Sequence, residues 1–288
     1  MPELPEVETI ARELQAVMPT SRIIGLEIRL PKMIKLPVNR FRRNVVGATV
    51  GRVHRRAKLL LIDISTGQTI IIHLKMSGQL IWRSVTGRLR VGGHPIPGGT
   101  EALPNAYSHV IVATNRGTLF FNDQRQFGFV KMIPTASLEH WLEDEGYGPE
   151  PLSDEFTLDV FEEILRRHRV KRIKPTLMDQ TVIAGIGNIY ADEALFYAKI
   201  RPTRRIHTLR PDERKNLWKG IRHVMTLAIK YKGTTADAYR TANGQPGGML
   251  PFLRAYGRDG LPCKRCGTIM KKITLAGRGT HYCPGCQQ

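Results

Sequence analysis

The 288-residue chain has no cysteine before position 263 and only four in all. That excludes a body stapled by disulfides, in which bridges are spread through the fold. No apolar run approaches the roughly 20 residues that a membrane-spanning helix needs. The first residues lack the basic and apolar stretches of a secretory signal peptide, and no lipidation signal is present. Together these set the expectation of a cytoplasmic protein with reduced thiols. Acidic charge is also scarce: 25 Asp+Glu stand against 44 Lys+Arg, a net charge of +19. A chain this basic calls for a polyanionic partner. Its cations are scattered through foldable segments rather than gathered on one amphipathic helix, which favours nucleic acid over a membrane surface.

Basic residues are themselves missing from one stretch. Between Leu138 and Leu165 there are ten acids and no Lys or Arg. Such a run reads as a solvated face turned away from a polyanion. Within it, EGYGPEPLSDEF has the Gly/Pro content of a linker, with a helix N-cap expected at Ser153 or Asp154. A domain boundary therefore falls here, as the chain length also suggests. Before the boundary, after one leading helix, come RIIGLEIRL, TVGRVHRRAKLLLIDIS, QTIIIHLKMSGQLIW, SHVIVATNRGTLFFND and FGFVKMI. These β-branched and aromatic runs, with NRGT as a hairpin turn, predict a β-sandwich or barrel-like domain. The Gly/Pro-rich segment 91–106 reads as a surface loop. After the boundary DVFEEILRRHR, IKPTLMDQTV, GNIYADEALFYAKI and PDERKNLWKGIRHVMTLAIKYK show helical spacing. The expected class is thus α+β and multidomain. Residues 2–135 form the sandwich, 136–152 an acidic linker, 153–252 a helical domain and 253–288 a terminal module.

That module holds every cysteine, as CKRC (Cys263, Cys266) and CPGC (Cys283, Cys286). The spacing C-x2-C-x16-C-x2-C forms two knuckles that can close a four-sulfur tetrahedron around one structural Zn²⁺ and leave no open coordination position. Four thiolates and the ion carry a net –2. From Leu253 to Gln288 there are nevertheless seven Lys/Arg and one acid, an excess that suits a DNA clamp. In AGRGTHY, Arg278 stands between two glycines, where its side chain can reach a phosphate.

Two stretches resist a bland account. MDQTVIAGIGNIYADEAL joins helices through Gly185, Gly187 and Asn188. No strand precedes it, so it is not a dinucleotide-binding loop. Either it is a tight helix–helix turn with Asn188 as N-cap, or its backbone N–H groups and the Asn188 amide hold a phosphate. The chain also opens MPELPEVETI. Pro5, Glu6 and Glu8 suit the first turn of a helix. Pro2 and Glu3 stand before that helix and are not explained by it.

The motifs MPELPEVET, RRAKLL, HLKMSG, NDQRQFG, GPEPLSDEF, MDQTVIAGIGNIYADEALF, YKGTTADAY, AYGRDG and the paired CxxC occur in order along the whole chain. In this the sequence resembles the bacterial formamidopyrimidine-DNA glycosylases. The resemblance implies a monomeric, bifunctional glycosylase and abasic-site lyase acting on oxidised purines in double-stranded DNA, located in the cytoplasm on the nucleoid. It implies that Pro2, freed of Met1, supplies a secondary amine for Schiff-base catalysis, since an α-amine is partly unprotonated at neutral pH. Glu3 becomes the general acid/base, Glu6 an anchor of that site, and Lys58 a contact to the phosphate beside the lesion. Met76, Arg125 and Phe127 match the residues that fill the hole left by an everted base. His109, Lys174, Asn188 and Arg278 match further DNA contacts, and the last three make the Gly187 turn and the finger a phosphate-gripping module of helix–two-turn–helix type. Residues Thr234 to Phe252 match a mobile loop over the everted base. The related enzymes of endonuclease VIII type, acting on oxidised pyrimidines, tend to open with Gly where this chain has Leu4. A non-catalytic zinc-ribbon lesion binder would fit the charge and the finger equally well, but would have no use for a proline amine.

Overall fold

A computed structural model of the chain describes residues 1–94, 102–234 and 248–288. The chain divides into two compact units: Met1–Glu145 together with Tyr231–Gly248, and Gly146–Lys230 together with Met249–Gln288. The described residues Tyr231–Thr234 and Gly248, expected to belong with the helices, group with the first unit.

The first unit contains α1 (Leu4–Gln15), β1 (Ile23–Ile28), α2 (Val38–Val45), β2 (Val50–Arg56), β3 (Leu59–Ile64), β4 (Gln68–His73), β5 (Gly78–Ser84), β6 (Leu89–Gly93), β7 (Ser108–Thr114), β8 (Gly117–Asp123), β9 (Phe129–Pro134) and α3 (Leu138–Asp144). Two sheets form, in the orders β1-β7-β8-β5-β6 and β2-β3-β4-β9, and every strand pairing is antiparallel. This is the sandwich that the β-branched runs predict. Alternate residues of each sheet, among them Ile62, Ile72 and Val130 from one and Leu80, Val110 and Phe121 from the other, meet in a single core. The apolar stripe of α1, Val7, Ile10 and Leu14, completes that core. Gly92 on β6 allows the close approach, since a Cβ there would lie 2.2 Å from Ile10 Cγ1. The start of the chain is thereby clamped to the sandwich.

Three expectations change. The segment 91–106 is not loop throughout, because Leu89–Gly93 forms edge strand β6; residues 95–101 lie outside the described residues. The acidic stretch carries α3 rather than only linker. The helix N-cap is neither Ser153 nor Asp154 but Thr157, whose Oγ1 accepts a hydrogen bond from Val160 N at 3.2 Å.

The second unit contains α4 (Leu158–Arg167), α5 (Ile173–Met178), α6 (Asn188–Tyr197), α7 (Pro211–Lys230) and the hairpin β10 (Lys271–Leu275) to β11 (Arg278–Tyr282). Helix α6 is buried continuously from Tyr190 to Phe196, with α5, α7 and β11 packed around it. Among the described residues, no helix is long and apolar enough to cross a membrane.

Candidate functional site

In the first unit, Pro2 and Glu3 are buried, Glu3 to 3% exposure, at the head of α1. Glu3 is the N-cap, and Glu6 reaches back so that its Oε2 accepts from Glu3 N at 2.9 Å. That arrangement satisfies a backbone donor that a helix start leaves open. The other oxygen of Glu6 accepts from Thr234 N at 2.8 Å and from Thr234 Oγ1 at 3.1 Å. Glu6 therefore ties the chain start to a segment 228 residues away. The opening acids do more than complement a helix dipole: Glu6 is a buried clamp that fixes the backbone carrying Pro2 and Glu3.

Lys58 is buried to 5% exposure in the tight turn between β2 and β3, next to Ala57 at φ +53°. His109 is 6% exposed, and its Nε2 lies 2.8 Å from the carbonyl oxygen of Asp123. His73 lies beneath the β4–β5 turn, its ring 5.5 Å from that of Phe129. Burial, aided by Lys75 and Lys58, lowers its pKa to about 3.

Met76 sits half-buried on the β4–β5 turn. Arg125 and Phe127 lie on the adjacent β8–β9 turn, both exposed, with the Arg125 guanidinium 5.1 Å from the Phe127 ring centroid. At 56% exposure Phe127 is a large ring held in solvent. The two turns that carry the trio are brought together by the β5–β8 pairing, in which Gly78 faces Asp123.

In the second unit, Lys174 is 1% exposed. Its Nζ lies 2.7 Å from Asp192 Oδ1 and donates to Thr280 Oγ1 at 2.8 Å and Gly279 O at 3.2 Å. Asn188 is the first residue of α6, with Gly187 as N-cap, and its Nδ2 donates to the same Gly279 carbonyl at 2.9 Å. Both residues hold the backbone beside Arg278, which stands exposed at the hairpin tip. In this conformation the ammonium of Lys174 is enclosed by protein, so it acts on the hairpin; Arg278 offers the accessible charge. Sequence reading missed the acid pair that anchors the same module. Asp192 Oδ2 accepts from His281 N at 2.9 Å. Glu193 accepts from the N–H groups of Arg254, Ala255 and Tyr256 at 2.8–3.1 Å. Burial pushes the Glu193 carboxyl up, against the pull of those donors. The available signal was two acids inside an otherwise apolar helix.

Cys263, Cys266, Cys283 and Cys286 converge with all four sulfurs within 4.8 Å of one another. Sulfur pairs lie at 3.1, 3.5 and 3.8 Å. A tetrahedral Zn–S bond of about 2.3 Å places its sulfurs about 3.8 Å apart, so the cluster fits one structural Zn²⁺. Phe196, Ala255 and Met270 pack against the knuckles.

Three family descriptions match successive parts of the chain. They are the formamidopyrimidine-DNA glycosylase N-terminal domain over residues 1–130, the formamidopyrimidine-DNA glycosylase H2TH domain over 147–239, and the zinc finger found in FPG and IleRS over 260–288. The chain belongs to the formamidopyrimidine-DNA glycosylase family. The family's enzyme from Pelotomaculum thermopropionicum is 42% identical, covering 100% of this chain and 99% of its own. That from Streptococcus mutans is 37% identical and covers 100% of both. A Lactococcus lactis enzyme of the family, crystallised as a mutant in complex with a Fapy-dG containing DNA, superposes with a TM-score of 0.89 at 34% identity, covering 100% of each chain. The Lactococcus lactis enzyme in complex with an abasic site containing DNA gives a TM-score of 0.89 over 99% of each chain. The sandwich, helical module and zinc-finger hairpin are thus the family's architecture.

Proposed function

We propose that this protein is a monomeric, bifunctional DNA glycosylase and abasic-site lyase that excises oxidised purines, 8-oxoguanine and formamidopyrimidines, from double-stranded DNA. The observation that carries the reading is the buried, clamped chain start of a family member: Glu3 at 3% exposure beside Pro2, its backbone fixed by Glu6. Removal of Met1, itself 45% exposed, converts the Pro2 nitrogen from an amide into a secondary amine. That amine attacks C1′ of the damaged nucleotide. The C1′–base bond breaks, and the base departs with a proton and the bonding electron pair. C1′ is then bonded to both the Pro2 nitrogen and the ring oxygen, and when the C1′–O4′ bond breaks the nitrogen lone pair closes an iminium between Pro2 and C1′. Glu3 protonates the sugar ring oxygen as the ring opens and manages the later proton transfers. The iminium acidifies the C2′ proton, and successive β- and δ-elimination releases the two phosphates.

The remaining residues serve eversion and grip. Met76, Arg125 and Phe127 fill the vacated stack, with Arg125 paired to the orphaned cytosine. Lys58 and His109 support the DNA beside the lesion, and Arg278 holds a phosphate from a hairpin positioned by Lys174 and Asn188. The zinc site is structural. The loop from Thr234 to Phe252 covers the everted base; its residues 235–247 lie outside the described residues. The charge of +19 and the cysteine cluster support a protein that works in the cytoplasm, on the nucleoid.

Borohydride trapping of untagged protein on a duplex with one 8-oxoguanine opposite cytosine tests this. A cross-link mapping to Pro2, and absent with undamaged DNA, is expected. Trapping on an abasic site but not on 8-oxoguanine would move the substrate towards oxidised pyrimidines. Tight binding with no trapping on either substrate would leave a DNA-binding protein and refute the enzyme.

A further inference from the structure

The void-filling residues reach the duplex from two separate turns, and a hole in a base stack is filled only if both arrive in register. One buried carboxylate sits where those turns meet. Asp123, the last residue of β8, is 0% exposed. Its Oδ1 accepts from Ser77 Oγ at 2.5 Å, and Ser77 directly follows Met76. The same oxygen accepts from Arg125 N at 3.2 Å, and Ser77 Oγ also accepts from Arg125 N at 2.9 Å. The other oxygen, Oδ2, accepts from Gly128 N at 2.6 Å. The carboxylate thus takes the N–H groups at both ends of the Arg125–Phe127 segment and the hydroxyl beside Met76.

The surroundings are shaped for this contact. Gln126, at the tip between Arg125 and Phe127, has φ +57°, a region that costs a side-chain-bearing residue energy unless its neighbours hold it. A Cβ at position 128 would lie 2.7 Å from Phe121 Cζ and 3.0 Å from Asp123 Oδ2, so glycine lets the N–H come close. Behind Asp123, His109 Nε2 meets its carbonyl oxygen at 2.8 Å. Hydrogen bonds to an ionised acceptor are roughly twice as strong as neutral ones, and here several converge on a single side chain away from water.

We infer that Asp123, with Ser77 as its bridge, is a positioning residue that couples the Met76 turn to the Arg125–Phe127 turn, so that the three side chains enter the stack as one body. This rests on the void-filling role proposed above. Asp123 does not touch the reacting atoms; it acts through the trio. Its effect therefore falls on steps that need the stack refilled. Excision of a paired 8-oxoguanine needs it most, and cleavage at a preformed abasic site, where no base has to be everted, needs it least.

The test compares Asp123→Asn, Ser77→Ala and Arg125→Ala in the zinc-loaded, untagged protein. Single-turnover excision of 8-oxoguanine opposite cytosine and opposite adenine is measured beside cleavage of a preformed abasic site, and 2-aminopurine opposite the lesion reports insertion. Asn offers one acceptor where Asp offers two and presents an amide N–H₂ to a backbone donor. Asp123→Asn is expected to slow excision about ten-fold more than abasic cleavage, to delay the fluorescence phase and to narrow the cytosine-over-adenine preference. Ser77→Ala is expected to shift all three in the same direction by less, and it decides the matter if Asp123→Asn does not fold. If Arg125→Ala itself leaves the excision-to-abasic ratio and the opposite-base preference unchanged, the void-filling reading fails. If Arg125→Ala moves them while the Asp123 and Ser77 variants lower excision and abasic cleavage in equal proportion with normal insertion, the inference is overturned.

Discussion

Replacing Asp192 by Asn removes half of a charge pair that water does not reach. Lys174 and Asp192 are 1% and 0% exposed, with Nζ and Oδ1 2.7 Å apart. Breaking such a pair leaves one uncompensated buried charge and costs about 3–5 kcal/mol. Asp192 also receives His281 N, so the same substitution weakens the seat of β11. For a unit of this size a loss of ~1 kcal/mol lowers Tm by roughly 3–5 °C, which puts the expected fall for Asp192→Asn at about 10–25 °C. Calorimetry on the zinc-loaded protein reads it directly, and zinc release to a chelator should accelerate in parallel. The double variant Lys174→Met/Asp192→Leu removes both charges, and part of the stability is expected to return, the rest being withheld because His281 N loses its acceptor. Its DNA binding then separates two roles for Lys174. If the buried lysine only holds the hairpin, the slope of affinity against salt stays that of the parent protein; a lost phosphate contact would reduce the slope by about one unit. A Tm drop of only a few degrees for Asp192→Asn would refute the reasoning. So would a double variant as unstable as the two single losses added together.

Further outcomes follow from the first unit. A tag left on the N-terminus should abolish trapping and excision while binding to lesion DNA survives, because an acylated Pro2 nitrogen has no lone pair to offer; gel shift beside borohydride trapping reads both. Glu6→Gln places an amide N–H₂ against one of the backbone N–H groups that the carboxylate now satisfies, at a cost of about 1–3 kcal/mol. Thermal unfolding and single-turnover excision should both register it, and an unchanged excision rate would contradict the clamp. His73 is held near a pKa of about 3 against an ordinary 6.5. The unfolded chain therefore takes up a proton below 6.5 that the folded chain refuses, and this contribution to stability is present above that pH and lost as pH falls towards 3. Between pH 7 and 5 it amounts to about 2 kcal/mol. His73→Phe should flatten that limb in denaturant titrations, and an unaltered pH slope would argue against the buried neutral imidazole.

What the sequence made legible depended on the physical cause of each feature. Most strands of the sandwich could be read because a half-buried strand must alternate and turn at Gly or Asn. Strand β6 could not, because LRVGG ends in two glycines whose reasons are tertiary: Gly92 lets Ile10 of α1 approach, and Gly93 lies against the backbone of Gly78 and Gln79 on β5. Helix α2 was missed because VNRFRRNV buries only Phe41 and Val45, with Val38 packed partly against the core, too few apolar residues to set a period. The N-cap was misplaced because Ser153 is a good cap in isolation. Its hydroxyl instead turns to Glu150 O at 3.0 Å, closing a turn one step earlier. At the proposed site, the residue types suited to the chemistry are the ones a motif can offer. Residues that carry position were harder to read: burial of Asp123, Lys174, Asp192 and Glu193 is a tertiary fact, hinted at for the two acids of YADEAL by the apolar residues around them, but nothing in NDQRQFG distinguishes a caged carboxylate from a solvated one.

The contact between Glu6 and Thr234 has a consequence for how the protein is made. The two partners are 228 residues apart, and both belong to the unit that begins the chain. A ribosome adding about 5–20 residues per second needs roughly 10–45 s after Glu6 emerges before Thr234 can reach it. The sandwich can close during that interval, but the carboxylate that steadies the chain start must wait for its last partner until the whole helical stretch has been synthesised. A truncated product ending before Thr234 would possess every residue proposed for the chemistry and still lack the finished seat for them. The order of translation makes the N-terminal amine the first group of the site to be made and one of the last to be set in place.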